Sequence, residues 1–136
     1  KSNMDASWTF ADIPTSLPPL LKAKKIQKKA AKKGFDWKES IDVIEKVEEE
    51  LKELKYEIQQ NNKQNTQEEL GDLLFSIVNL SRHLEIDASE AINQANHKFI
   101  KRFGLMEEEI AKEKKKLENL SAEELEQFWV KIKLHG

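Results

Sequence analysis

Cysteine is absent from the 136 residues. That removes disulfide frameworks, thiolate nucleophiles and cysteine-held zinc together, and it suits a reducing, cytoplasmic setting. No apolar run approaches the roughly 20 residues of a membrane span, and no short apolar segment follows a cluster of positive charge, so neither an anchor nor a signal peptide is expected. Charge of one sign is also missing in net: 23 Lys plus Arg stand against 25 Asp plus Glu, which leaves no overall pull toward nucleic acid or an anionic membrane. The lysines from Lys22 to Lys33 read as a solvated face, because no aromatic residues interleave them as a stacking platform would require. Proline stops at Pro19, and past Gly34 the only glycines are Gly71, Gly104 and Gly136. Such sparse punctuation disfavours strands with tight turns and favours long helices.

The periodicity agrees. Residues 1–17 have no sustained period and read as a leader or interdomain linker, and the start Lys1-Ser2-Asn3-Met4 suggests a piece of a longer protein. A first helix is predicted from Pro18 or Pro19 to Gly34, and a second over 38–60 with Ile41, Ile44, Val47, Leu51, Leu54 and Ile58 as one inward stripe. Thr66 with Glu69 makes a capping-box pattern, so a third helix is expected from there to Leu84 with Leu70, Leu73, Leu74, Ile77, Ser81 and Leu84 facing inward. Asp87 with Glu90, and Ser121 with Glu124, mark the starts of a fourth and a short last helix. Residues 18–136 thus read as one all-α domain, an antiparallel bundle of four to five helices.

Acids open the third helix, where apolar residues would be ordinary. Counted from the NNKQN turn, Glu53 lies seven residues before Gln60 and Asp72 six after Thr66, so the two helices place them near one level. Glu50 and Glu69 follow at i, i+3 spacing on the same faces. Read singly, Glu50 and Glu53 are ordinary solvated acids paired with Lys46 and Lys52, and Glu69 is a capping residue. Read together, four gathered carboxylates repel one another unless a cation neutralises them, and hard oxygen donors suit Mg²⁺, with Mn²⁺ as a substitute. A di-iron centre would need Glu-x-x-His; His83 follows Leu80 and His97 follows Gln94 at that spacing. Lys98 and Arg102, one turn apart, can aim two cations at one phosphate chain. Asn79 and Asn96 offer hydrogen bonds to sugar or phosphate, Trp129 a stacking surface for a base, and Lys133 a further phosphate contact, though each has an ordinary packing or solvated role as its alternative.

Glu49-Glu50-x-x-Glu53, then EELGDLLFSIVNLSRHL, then NHKFIKRF at 96–103 resembles the MazG-type nucleoside triphosphate pyrophosphohydrolases. The likeness runs over about 17–133, includes SLPPLLKAKKIQKKAAKKGFDW, and is to the C-terminal domain of two-domain members, with no first domain of that kind in this chain. The resemblance implies an all-α, dimeric or higher homo-oligomeric enzyme that uses Mg²⁺ to convert NTP and water to NMP and pyrophosphate, with Glu50, Glu53, Glu69 and Asp72 as metal ligands. The expected chemistry is attack of metal-activated water on the α-phosphorus, with Lys98 and Arg102 offsetting charge on the leaving phosphates. Broad, housecleaning specificity is the leading expectation. A dUTP-, dCTP- or phosphoribosyl-ATP-directed enzyme and a non-catalytic helical interaction module are the alternatives.

Overall fold

In a computed structural model, residues 8–135 are described; the start Lys1-Ser2-Asn3-Met4 lies outside them. Pro19 opens α1 (Pro19–Lys32) in the first turn, where a missing N–H costs nothing. There follow α2 (Ser40–Gln59), α3 (Lys63–His83), α4 (Ala88–Lys112) and α5 (Ala122–His135), with short 3-10 turns at Trp8–Phe10 and Leu117–Asn119. No strand occurs among the described residues, as the sparse glycine and proline imply.

The connections between helices are short because four helix ends close alike. Gly34, Asn61, Glu85 and Lys114 take positive φ just beyond α1, α2, α3 and α4. In each case the next amide, of Phe35, Asn62, Ile86 or Lys115, donates back to the carbonyl of Ala30, Glu57, Ser81 or Ile110. This is the left-handed termination that satisfies the last carbonyls of a helix. At the other ends, the Asp87 carboxylate accepts from the Ser89 amide at 2.8 Å. Ser121 and Glu124 exchange bonds of 2.8 and 3.1 Å as a complete capping box.

The third helix departs from expectation at its start. Asn62, not Thr66, is the cap: its side chain accepts from the Asn65 amide at 3.0 Å, while the Thr66 hydroxyl is used on the Asn62 carbonyl. The asparagine pair wins because Asn61 tolerates the left-handed conformation and Asn62 can then turn its oxygen onto the first free amides. Glu69 is thereby released from capping.

The chain divides into two compact units, Lys1–Ser89 and Glu90–Gly136. In the first, α3 packs against α2 and α1, and the 3-10 turn of the expected leader packs on α1, fastened by Asp12 to Lys29 at 2.9 Å. The least exposed line of α2 is Val43, Val47, Glu50 and Leu54, and that of α3 is Glu69, Leu73, Ser76 and Leu80, beside which Val78 is also buried. These sets recur at i, i+3 or i+4 and define narrow lines. Most of the expected stripes lie on other faces: Ile41, Ile44, Leu51 and Ile58 on α2, and Leu70, Leu74, Ile77 and Leu84 on α3, are exposed. Both helices are apolar on two sides, and a stripe drawn through all the apolar residues averages them. The second unit buries Met106, Ile110 and Ile132, with Phe103, Leu105, Leu117, Leu120, Leu125, Phe128 and Trp129 packed around them.

Candidate metal and nucleotide site

Because Glu50 and Glu69 sit on the inward lines of α2 and α3, their carboxylates meet between the helices. Single carboxylate oxygens of Glu50, Glu69 and Asp72 lie within 4.8 Å of one another. Glu50 is buried, Glu69 half-buried and Asp72 exposed, so the group runs from the interhelical seam to the surface. The displaced start of α3 resets the register. Glu50 and Asp72 are each nine residues from the turn, and Glu53 and Glu69 each six. Asp72 therefore faces Glu50, where the sequence count paired it with Glu53. Glu53 falls at the level of Glu69 instead, and its charge acts on the Glu69 carboxyl.

The electrostatics show crowding. The Glu69 carboxyl is pushed above its ordinary range, first by burial and then by the charges of Glu53, Glu50 and Asp72, with the nearness of the Glu53 carboxyl adding to the rise. One oxygen of Glu69 is buried without a partner. The compensating cation within the first unit is Lys46, whose Nζ lies 3.1 Å from Glu50 and 3.7 Å from Glu49. Its pKa is raised by the Glu50 hydrogen bond above all, against an opposing effect of burial. The donor set is entirely carboxylate oxygen, it has an open side at Asp72, and it holds more negative charge than one ammonium offsets. A hard divalent cation fits such a set.

A second network stands beside it. Asp36, in the loop after α1, accepts from both terminal nitrogens of Arg82 at 2.7 and 3.0 Å, from the Trp37 amide at 2.8 Å, and meets His83 Nε2 at 2.9 Å. The Arg82 hydrogen bonds lead in holding the Asp36 carboxyl well below the usual carboxylate range, with His83 and the Trp37 amide adding to them against the cost of burial. Asn79 joins by accepting from Arg82 at 3.1 Å. Sequence reading proposed Asn79 and paired Lys46 with the acids through its local spacing to Glu50, but missed Asp36 and Arg82, which are 46 residues apart and had no such signal.

The remaining candidates lie in the second unit. Asn96 and Lys98 are exposed on α4 and Arg102 is half-buried; Lys133 is exposed on α5. The Trp129 ring lies tilted 5.2 Å from Phe99, which in turn stacks on Phe103 at 5.9 Å, so the indole has a packing role on α5.

Residues 38–104 match the MazG nucleotide pyrophosphohydrolase domain. The chain is 48% identical over 127 residues, 93% of its own length and 49% of the relative's, to the nucleoside triphosphate pyrophosphohydrolase/pyrophosphatase MazG of Thermotoga maritima. It is 43% identical over 124 residues, 90% of its length and 47% of the relative's, to the nucleoside triphosphate pyrophosphohydrolase of Escherichia coli strain K12. A shorter match, 40% over 69 residues, covers 51% of the chain and 14% of the uncharacterized protein YabN of Bacillus subtilis. The chain spans about half the length of the first two relatives. Through residues 38–104 it belongs to the MazG family.

Proposed function

We propose that this MazG-family chain hydrolyses nucleoside triphosphates to nucleoside monophosphate and pyrophosphate with Mg²⁺, or Mn²⁺ in its place, and with the broad base tolerance of a housecleaning enzyme. The observation that carries the reading is the meeting of Glu50, Glu69 and Asp72 oxygens within 4.8 Å, with one oxygen of Glu69 buried and unpartnered. Names of relatives that act on nucleoside triphosphates support it. Glu50, Glu69 and Asp72 would hold the cation, and Glu53 completes the set of four. When bound, Mg²⁺ supplies Lewis-acid polarisation of a phosphoryl oxygen and eases deprotonation of water.

The chain's own groups then divide the work. Glu50 is fixed in the interhelical seam and oriented by Lys46 at 3.1 Å. Glu53 and Glu69, whose crowding favours a proton on Glu69, would take up the proton lost by the attacking water. Lys98 and Arg102 would offset charge as pyrophosphate leaves, while Asn79, Asn96, Trp129 and Lys133 would contact the nucleotide. Exposed Leu51 and Ile58 on α2 and Leu70 and Leu74 on α3 form an apolar surface that a second copy of the chain would cover, which supports a homo-oligomer.

Pyrophosphate release measured across ribo- and deoxyribonucleoside triphosphates, with Mg²⁺ or Mn²⁺, is the direct test. Activity on several bases is expected. Asp72→Asn lowers kcat/KM by about three orders of magnitude, several kcal/mol of transition-state stabilisation, with helicity unchanged. Undiminished Mg²⁺-dependent turnover in that variant overturns the site. Activity on one nucleotide alone selects a nucleotide-specific pyrophosphatase, and no cation binding at all selects an interaction module.

A further inference from the structure

The acids gathered between α2 and α3 oppose the very pairing that gathers them. Glu50, Glu53 and Asp72 each press their charge on Glu69, and the ammonium of Lys46 on Glu50 offsets only part of it. Like charges so close push the two helices apart. A cation is gripped only while its oxygens stay together, and those of Glu50, Glu69 and Asp72 lie within 4.8 Å of one another. Groups outside the cluster must therefore hold the hairpin shut before a cation arrives.

Side-chain hydrogen bonds tie the hairpin at its two ends, and the ties are unequal. At the turn, Asn65 Nδ2 donates to Glu57 at 3.4 Å, a long and exposed bond. At the open end the tie is Asp36, four residues before α2 begins at Ser40, bound to Arg82 and His83 in the last turn of α3 at 2.7 to 3.0 Å. The side chains of Asp36, Arg82 and His83 are 25%, 15% and 11% exposed. Such a group is not the solvent-screened ion pair that contributes little. The Arg82 fork grips both carboxylate oxygens, which adds direction to strength.

The acids lie midway between the ties. Glu50 and Asp72 are each nine residues from the turn, and in the other direction Ser40 is ten residues before Glu50 while Arg82 is ten after Asp72. The open-end tie therefore stands about 15 Å along both helices from the cluster. Because the two counts are equal, the Asp36 bonds fix the same register that the turn fixes. The loop also reaches the cluster more directly: Asp36 and Trp37 share the walls of a concave surface of about 380 Å³ with Lys46 and Glu49 of α2. Lys46 is the residue that holds Glu50 at 3.1 Å.

We propose that Asp36 is a positioning residue for cation binding: by tying the start of α2 to the end of α3, it keeps Glu50 opposite Asp72 and Glu53 at the level of Glu69 before the cation arrives. This role rests on the metal reading above, and it adds the group that holds the donor set in register. Asp36 acts through the pairing of two helices and not by contact with cation or substrate. Loss of an outer support of this kind lowers metal affinity by about 10- to 100-fold. The lower end applies here, because the turn and the buried Val43 and Val78 still hold the first unit together.

Calorimetry of Mn²⁺ binding without nucleotide tests it and needs no turnover. Asp36→Asn keeps the shape of the side chain, removes its charge, and should weaken Mn²⁺ binding by about tenfold. Ile110→Val loosens the second unit instead; it controls for lost stability and should bind Mn²⁺ as the wild type does. Circular dichroism at the same temperature establishes folding, and should Asp36→Asn fail to fold, Arg82→Gln decides. In the Asp36 variant the Mg²⁺ concentration for half-maximal pyrophosphate release should rise by the same factor, with turnover recovered at saturating Mg²⁺. Wild-type Mn²⁺ affinity in the folded Asp36 or Arg82 variant, or equal weakening by Ile110→Val, overturns the positioning role and leaves the metal reading standing. A wild-type protein that binds no Mn²⁺ overturns the metal reading, and the positioning role with it.

Discussion

The two units bury opposite kinds of residue. In Glu90–Gly136 the buried side chains are Met106, Ile110 and Ile132, all apolar and closely surrounded. In Lys1–Ser89 the apolar Val43 and Val78 share the interior with Gln27, Glu50 and Ser76. Polar burial is costly unless every group is matched, and here Gln27 and Glu69 each keep one unmatched oxygen. The second unit is built as a core is built. The first leaves polar groups unmatched in its interior, while much of its apolar surface on α2 and α3 stays outside.

The largest test of this contrast lies in the second unit. Ile110, 2% exposed, contacts a closed apolar cluster, and Ile110→Ala should destabilise the protein by about 2 to 5 kcal/mol, read by urea unfolding. A cost below 1 kcal/mol would mean that the cluster is no core. In the first unit stability should depend more on polar links. Asp36→Asn removes a charged hub from Arg82, His83 and the Trp37 amide and should cost about 1 to 2 kcal/mol, discounted for partial exposure. Since the Asp36 carboxyl is held below its unfolded value, its contribution is complete above the ordinary aspartate range and disappears as pH falls through the folded value. The wild-type and Asp36→Asn stabilities should therefore converge in strong acid.

The sequence made the helices legible because their ends are written locally: Pro19, Gly34, Asp87 and the Ser121–Glu124 box each act within one turn. It also assembled the acids, since a hairpin of two helices has nearly one register. The register itself slipped because Asn62 captured the helix start from Thr66, a contest between two good local signals that propensity does not decide. The orphaned Gln27 was illegible for another reason. Its bond to Phe75 spans 48 residues, and a glutamine among lysines carries no mark of burial.

A smaller effect separates the acids from ordinary surface charge. Glu69 has a folded pKa raised above its unfolded value, so its share of stability is complete below the ordinary glutamate range and is lost as pH rises through the folded value. Glu69→Gln should raise the melting temperature of the cation-free protein at pH 7, and that gain should fade as the pH is lowered into the glutamate range. Adding Mg²⁺ should stabilise the wild type more than the variant. Equal responses of the two proteins to pH and to Mg²⁺ would return Glu69 to the status of a solvated acid.

The smallest effect concerns the exposed side of α3. Gly71 stands inside that helix, and a Cβ added there would meet nothing within 4 Å, so the close approach of a neighbouring helix that such a glycine would suggest is not found among the described residues. With helical backbone and open space, Gly71→Ala has only the entropy of the unfolded chain to act on. It should stabilise the isolated chain by about 0.5 to 1 kcal/mol in urea unfolding. The same substitution interrogates the apolar face formed with Leu70 and Leu74. If a second copy packs closely there, the added methyl has a neighbour after all, and the gain measured in dilute protein reverses at concentrations where sedimentation shows association. A gain that is constant across concentration would place Gly71 outside any such interface, leaving the exposed leucines to account for association without it.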